Sequence, residues 1–301
     1  NLWLFRPDGS QRRQLTDDPR SFDIHPSFSP DGRRIAFIRG RDFEQSTAVW
    51  VAGADGTEAR PVVTASSDSE RFVSPVWLSN ARILYARDPK IDRMPDVELC
   101  AVALDGGQPE RLFRLGDALI GGSGLASDVS PDGQQLALIA QRRGLWPTAD
   151  VYLADLEGRA VEDLWRDEPG DRKDARAIWS ADGRRIAWHH NFPRGGFADE
   201  YYYGIGLAEQ ETDGRWTCRL QPEPEARVTP LAWSPDSREL LCARMAPDEK
   251  RATLLLMDDQ FQTTRELFDL DVHSWQPGER DFGRLGDWAI VPDDVPLTQS
   301  R

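Results

Sequence analysis

The stretch Ser27-Phe28-Ser29-Pro30-Asp31-Gly32-Arg33-Arg34-Ile35-Ala36-Phe37-Ile38 decides the fold. Proline presets φ at the second position of a turn, aspartate bonds back to its own backbone, and glycine accepts positive φ. The centre of the stretch is therefore a tight turn, and the apolar runs around it are strand formers without helical spacing. A pattern of apolar residue, turn, basic or polar pair and apolar run recurs along the chain. Taking Phe28 as the first landmark, the copies stand at Trp77 (VWLSNARILYA), Val129 (DVSPDGQQLALI), Trp179 (IWSADGRRIAWH), Trp233 (AWSPDSRELLCA) and, degenerately, Trp275 (SWQPGERDFGRLGDWAIV). Their spacings are 49, 52, 50, 54 and 42 residues, and wrapping from Trp275 through the C-terminus back to Phe28 takes 54.

A period of this length is the signature of a repeat architecture. Between the copies lies a second turn signal, at Pro7-Asp8-Gly9, Ala54-Asp55-Gly56, Leu104-Asp105-Gly106, Leu156-Glu157-Gly158, Thr212-Asp213-Gly214 and, weakly, Met257-Asp258-Asp259. Two hairpins per period make a four-stranded unit, and such units stacked radially form a β-propeller. The period predicts an all-β, six-bladed β-propeller of four-stranded blades, one domain spanning residues 1–301. The chain starts with an outer hairpin and ends with an inner pair, so the ring is expected to close through N-terminal outer strands and C-terminal inner strands in one blade.

Composition sets the outer bounds. The 51 acids against 37 Lys and Arg give a net charge of −14, which disfavours a nucleic-acid partner. Hydrophobic residues make up 39% of the chain, enough for a core, yet the longest apolar runs fall far short of the roughly 20 residues of a membrane helix, so no membrane insertion is expected. Cys100, Cys218 and Cys242 each sit in an apolar strand-like run and read as buried thiols. There is neither an initiator Met nor a signal sequence at Asn1, which suggests a trimmed chain or a sensory or scaffold domain cut from a larger one.

The SPDG hairpin followed by basic, apolar, alanine and aromatic residues resembles the TolB-like (WD40-like Pro-Asp) propeller repeat, over five copies well and the sixth poorly. The resemblance implies a periplasmic or secreted protein that binds a protein partner. The same repeat occurs in the propellers of prolyl-oligopeptidase-like enzymes and in sugar-active proteins, so fold alone does not choose the function. Gly121-Gly122-Ser123-Gly124-Leu125 lacks the last glycine of a Gly-x-Ser-x-Gly elbow, and no serine-hydrolase domain is expected.

Candidate site residues come from the connections between second and third strands, because function concentrates on loops carried by a rigid scaffold. The most unusual connection, His189 to Tyr203 (HHNFPRGGFADEYYY), supplies His189, His190, Asp199 and Tyr201 as catalytic candidates. Aligned on the landmarks, the exits of the second strands carry Arg39, Arg87, Ala140, His190 and Arg244. Arg39, Arg87 and Arg244 could gather around an anion, since guanidinium forks suit carboxylate or phosphate; the alternative is pairing with acids such as Asp42, Glu44 or Asp88. Trp146 and Phe197 are the ring-stacking candidates. His25, His190 and His273 share one end of the blades and are the candidate ligands of a divalent metal, set against ordinary backbone-bonded histidines.

Two functions follow. The first is a non-enzymatic binding or scaffold module holding a protein segment or a small anionic ligand on the loop face around the central channel. The second is a carbohydrate-active lyase or glycoside hydrolase on acidic sugars that uses these histidines and arginines, with a divalent metal as its cofactor.

Overall fold

Alternation along each strand dictates how the sheets stack. In the run Ile186-Ala187-Trp188, Ile186 and Trp188 join a buried cluster with Ala137, Ile139, Val151 and Leu153, while Ala187 faces a second cluster with Val228, Trp233, Leu240 and Cys242. Successive side chains point to opposite faces, so a strand that is apolar throughout must be buried on both. That is the condition of a blade between two others.

The computed structural model describes residues 1–6, 10–11, 13–41, 47–67, 70–88, 97–114, 119–121, 128–142, 149–157, 160–164, 174–193, 201–223, 227–246 and 251–271. The chain forms two compact units, within residues 1–121 and within 122–283. The first unit holds blade 1 (Phe22–Phe28, Arg34–Gly40, Thr47–Gly53, Arg60–Thr64) and blade 2 (Arg71–Ser79, Arg82–Asp88, Glu98–Ala103, Glu110–Arg114). The second holds blade 3 (Asp128–Val129, Gln135–Arg142, Asp150–Asp155, Val161–Asp163), blade 4 (Ala175–Trp179, Arg185–Pro193, Tyr201–Gln210, Trp216–Glu223) and blade 5 (Val228–Trp233, Glu239–Met245, Arg251–Asp258, Thr263–Asp271). Consecutive strands pair antiparallel within every blade, as hairpins require.

The turn that opened the sequence analysis is built the same way four times. Ser29, Ser130, Ser180 and Ser234 each donate a hydroxyl hydrogen bond to the aspartate two residues on. The same hydroxyls accept the amides of Arg34, Gln135, Arg185 and Glu239, at 2.9–3.0 Å. Gly32, Gly133 and Gly183 take φ of 67°, 73° and 71°, and Ser237 replaces glycine there at 59°. One serine and one aspartate thus satisfy the backbone of the whole corner.

Within each unit, neighbouring blades are also stitched through their innermost strands. His25, Ser74 and Arg176 each stand three residues before their landmark, in left-handed bulges at φ 53°, 50° and 47°. The bulge aims a side chain at the next blade. His25 Nδ1 accepts the Ser74 amide at 3.2 Å, and the Arg176 guanidinium donates to the Leu231 carbonyl at 2.6 Å.

Among the described residues, six blades are not found. The described residues build five four-stranded blades, and the N-terminal strands Trp3–Leu4 and Arg13–Gln14 pair as a separate two-stranded sheet. The sixth copy, at Trp275, lies outside the described residues, as does the C-terminal inner pair expected to close a ring. This copy is also the degenerate one, reading Gln276-Pro277-Gly278-Glu279 where the copies at Phe28, Val129, Trp179 and Trp233 have Ser-x-Asp.

A second difference concerns the length of a hairpin. The connection from His189 was expected to be a loop, but the second strand of blade 4 runs on to Pro193, with His190 opposite Gly204 and Pro193 opposite Tyr201. Two glycines make this extension fit. A Cβ on Gly206 would lie 2.0 Å from the buried Trp188 ring, and one on Gly204 would lie 2.6 Å from the Gln221 carbonyl.

Candidate functional site: the strand-exit end of the blades

The column of residues at the exits of the second strands is a set of cross-strand locks. In blade 1, Asp23 enters the first strand directly opposite Arg39. The Arg39 fork donates from Nε and Nη2 to both Asp23 oxygens, at 2.6 and 3.0 Å, with Asp23 fully buried and Arg39 17% exposed. Its guanidinium also lies over the Trp50 ring, 4.6 Å from the centroid. A bidentate pair stacked on an indole combines the two geometries the guanidinium suits best. Arg39 is held above its ordinary pKa first by the hydrogen bonds to Asp23, against the opposing effect of burial.

Blade 2 solves the same problem with two acids. Arg87 donates to Glu70 and, at 3.0 Å, to Glu98, its partner across the strands. Glu98 also accepts Arg111 at 3.2 Å. Burial pushes the Glu70 carboxyl up, but the Ser66 amide, Arg87 and the Ser66 hydroxyl outweigh it and hold the group below the usual carboxylate range. In blade 5, Arg244 pairs with Glu266, a partner more than half exposed. Blade 3 carries Ala140 at this place, fully buried.

Blade 4 replaces the guanidinium with an imidazole. His190 and Asp174 are both buried, and Nδ1 donates to Asp174 Oδ1 at 2.6 Å. Asp174 precedes Trp179 by five residues, as Asp23 precedes Phe28, so the two acids occupy equivalent places. The neighbouring His189 donates Nδ1–H to the Val228 carbonyl of blade 5 at 2.8 Å, because a carbonyl can only accept. His25 accepts through the same nitrogen, which places its proton on Nε2 when the ring is neutral.

The sequence candidates therefore fall into three groups. Arg39, Arg87, His190 and Arg244 sit at the strand exits as aligned, each with an acid that the sequence analysis had not paired with it. The signal that could have found two of these acids is a lone aspartate five residues before the landmark, at the mouth of an otherwise apolar strand. Tyr201 opens the third strand of blade 4. Trp146, Phe197, Asp199 and His273 lie outside the described residues, as do Asp42 and Glu44. Among the described residues, no three of His, Cys, Asp and Glu come together as metal ligands. Burial pushes the Cys100 and Cys218 thiols up to about 11, so both are protonated at neutral pH.

No protein-family model matches the chain. A TolB homologue from Chlorobium luteolum is 46% identical over 41 residues, 14% of this chain and 9% of that protein's length. Similarity in three dimensions is far broader. The structure from Agrobacterium tumefaciens assigned as TolB superposes with a TM-score of 0.58 at 19% identity, covering 87% of this chain and 85% of that one. The fold is that of a TolB-like β-propeller. An oligogalacturonate lyase in complex with manganese matches this TolB-like propeller at a TM-score of 0.54 and 15% identity, over 89% of this chain and 73% of the lyase. Prolyl oligopeptidase B from Galerina marginata matches at 0.53 and 15% identity, over 84% of this chain and 35% of the peptidase. Among the described residues, no helix is long and apolar enough to cross a membrane.

Proposed function

We propose that this TolB-like propeller is a binding module that holds a protein segment at the strand-exit end of its blades. The observation that carries the proposal is the occupation of the exit cations by acids of their own blades. Arg39 uses both oxygens of Asp23, and Arg87 is shared between Glu70 and Glu98. A fork already satisfied inside its blade would have to break buried bonds to clamp an external anion, at a cost comparable to what the new contact returns. The same locks stiffen the strand ends from which the second-to-third connections emerge, and a stiff platform with variable connections is what a protein-binding surface needs.

The test is photo-crosslinking in the source cell with a reactive side chain at Trp146 or Phe197, compared with Asp105 on an outer turn. Adducts at 146 and 197 that are absent at 105, and retained in His189→Ala, are expected. Adducts at all three positions, or at none, would overturn the proposal.

One observation favours a second reading, an elimination on acidic sugars. The buried His190–Asp174 pair fixes the imidazole through Nδ1, the arrangement of a general base held by a carboxylate. An oligogalacturonate incubated with the protein would then gain the ultraviolet absorbance of an unsaturated uronate, and His190→Ala would abolish it. That result would displace the binding-module reading.

A further inference from the structure

At the opposite end of the blades, where the Ser-x-Asp turns lie, one position separates neighbouring grooves. The sixth residue after the landmark begins the second strand: Arg34 in blade 1, Gln135 in blade 3 and Arg185 in blade 4. Register confirms the equivalence, since Gln135 lies opposite Asp155 as Arg185 lies opposite Glu209. The arginines reach across to the next blade. Arg34 donates to the Asn80 carbonyl at 3.3 Å. Arg185 does more: its guanidinium stacks over Trp233 at 4.7 Å, donates to the Ser237 carbonyl, and pairs with Asp259 at 3.3 Å. The groove between blades 4 and 5 is thus filled by the protein's own guanidinium.

Between blades 3 and 4, where Gln135 takes that place, there is a cleft of about 440 Å³. Its walls include Trp179, Gly183 and Gln210, the counterparts of Trp233, Ser237 and Asp259. Four carboxylates stand around it, Asp132, Asp155, Glu157 and Asp182, the last also paired with Arg185 at 3.5 Å, and among the described residues no Lys or Arg lines it. Burial pushes the Asp182 carboxyl up, yet the Ser180 hydroxyl, the Arg184 amide and the nearby guanidinium groups hold it below its ordinary value, so it stays charged. A second feature also asks for a ligand. Trp179 is 6% exposed and its indole N–H is buried with no acceptor among the described residues, as is that of Trp233, whereas the indole of Trp77, at the same landmark in blade 2, donates to the Ser27 carbonyl at 2.9 Å.

We propose that this cleft binds the guanidinium of an arginine presented by a partner polypeptide, in the manner in which Arg185 fills the next groove. The planar cation would stack on Trp179 and donate to the Gly183 carbonyl and the carboxylate rim, while a peptide carbonyl of the ligand accepts the indole N–H. Lysine suits such a seat less well, because a point charge neither stacks nor forks. The cleft is at the other end of the blades from the strand exits, so this proposal does not rest on the function proposed above.

Calorimetric titration at low salt with acetyl-Gly-Arg-Gly-amide, and with the same peptide carrying citrulline, tests it. Saturable binding of the arginine peptide is expected, weakened about tenfold or more with citrulline, which removes the charge and keeps the shape. Gln135→Arg should abolish binding by supplying the guanidinium internally. Glu157→Gln, at an exposed rim position, should weaken binding several-fold and leave the melting temperature unchanged. General attraction of cations to a −14 chain would survive Gln135→Arg, so binding that persists in that variant overturns the proposal. Equal affinity for the two peptides, or no saturable binding of the arginine peptide at about 10 mM, overturns it as well.

Discussion

The locks of blade 1 and blade 5 occupy the same position in the repeat and use the same cation, yet they differ in everything that sets an ion pair's strength. Arg39 meets a fully buried aspartate through both oxygens and rests on an indole, whereas Arg244 meets a glutamate on the fourth strand whose side chain is 58% exposed. In low dielectric, a pair with every lone pair used is hard to break, because the surviving charge has no water to return to. At the surface, solvent and salt replace the partner at little cost. Sequence position tells where a lock can form; depth decides what it contributes.

Removing the acids one at a time turns that contrast into a graded series. Asp23→Ala leaves Arg39 without its partner in a buried setting and should cost about 3–5 kcal/mol in a urea unfolding curve. Glu70→Ala should cost less, about 1.5–3 kcal/mol, because Arg87 is 37% exposed and keeps Glu98. Glu266→Ala should cost at most about 1 kcal/mol and nothing measurable in about 0.5 M salt, where the Asp23→Ala effect persists. Equal costs for Asp23→Ala and Glu266→Ala would show that burial does not separate the two locks.

Acidity sharpens the same comparison through the carboxylates. The folded values of Glu70, Asp31 and Asp182 are all depressed, by Ser66 and Arg87, by Ser29 and Arg33, and by Ser180 and Arg184 respectively, in each case against burial. A depressed folded value means that the unfolded chain takes up protons first. The stabilisation is therefore complete above the ordinary carboxylate value of about 4, and is lost as pH falls through that value toward the folded ones. Melting temperature should hold steady from neutral pH down to about 5 and then drop, and Glu70→Gln should flatten the drop.

Packing offers the smallest change in atoms with a sizeable outcome. Gly206→Ala places a methyl group against the Trp188 ring, which has no room to withdraw, and should destabilise by about 1–3 kcal/mol or more. Gly107→Ala, with open space around its position, should be nearly silent in the same melt.

Much of the molecule was legible beforehand because its information is local. Ser29-Pro30-Asp31-Gly32 states its own turn, since the groups that satisfy the corner belong to the corner. Residues alternating on a strand state that both faces are buried, so the four-stranded unit, the all-β class and the TolB-like fold could be read from one chain. The sixth blade, argued mainly from the period, is not among the five blades of the described residues. His189 and His190 were read as loop residues because a polar cluster resembles a loop, and only the pairing to Ile205 and Gly204 places them in a strand.

What the sequence determined by itself is the hairpin, its recurrence and the positions where charges stand at the strand ends. Tertiary structure alone decided which acid each of those charges meets, because Asp23 and Arg39 are 16 residues apart and Arg185 and Asp259 are 74 apart. It also decided that Arg185 seals one groove while Gln135 leaves its neighbour open. Such pairings are set by register across strands and by the stacking of one blade on the next, and neither is written within a single repeat.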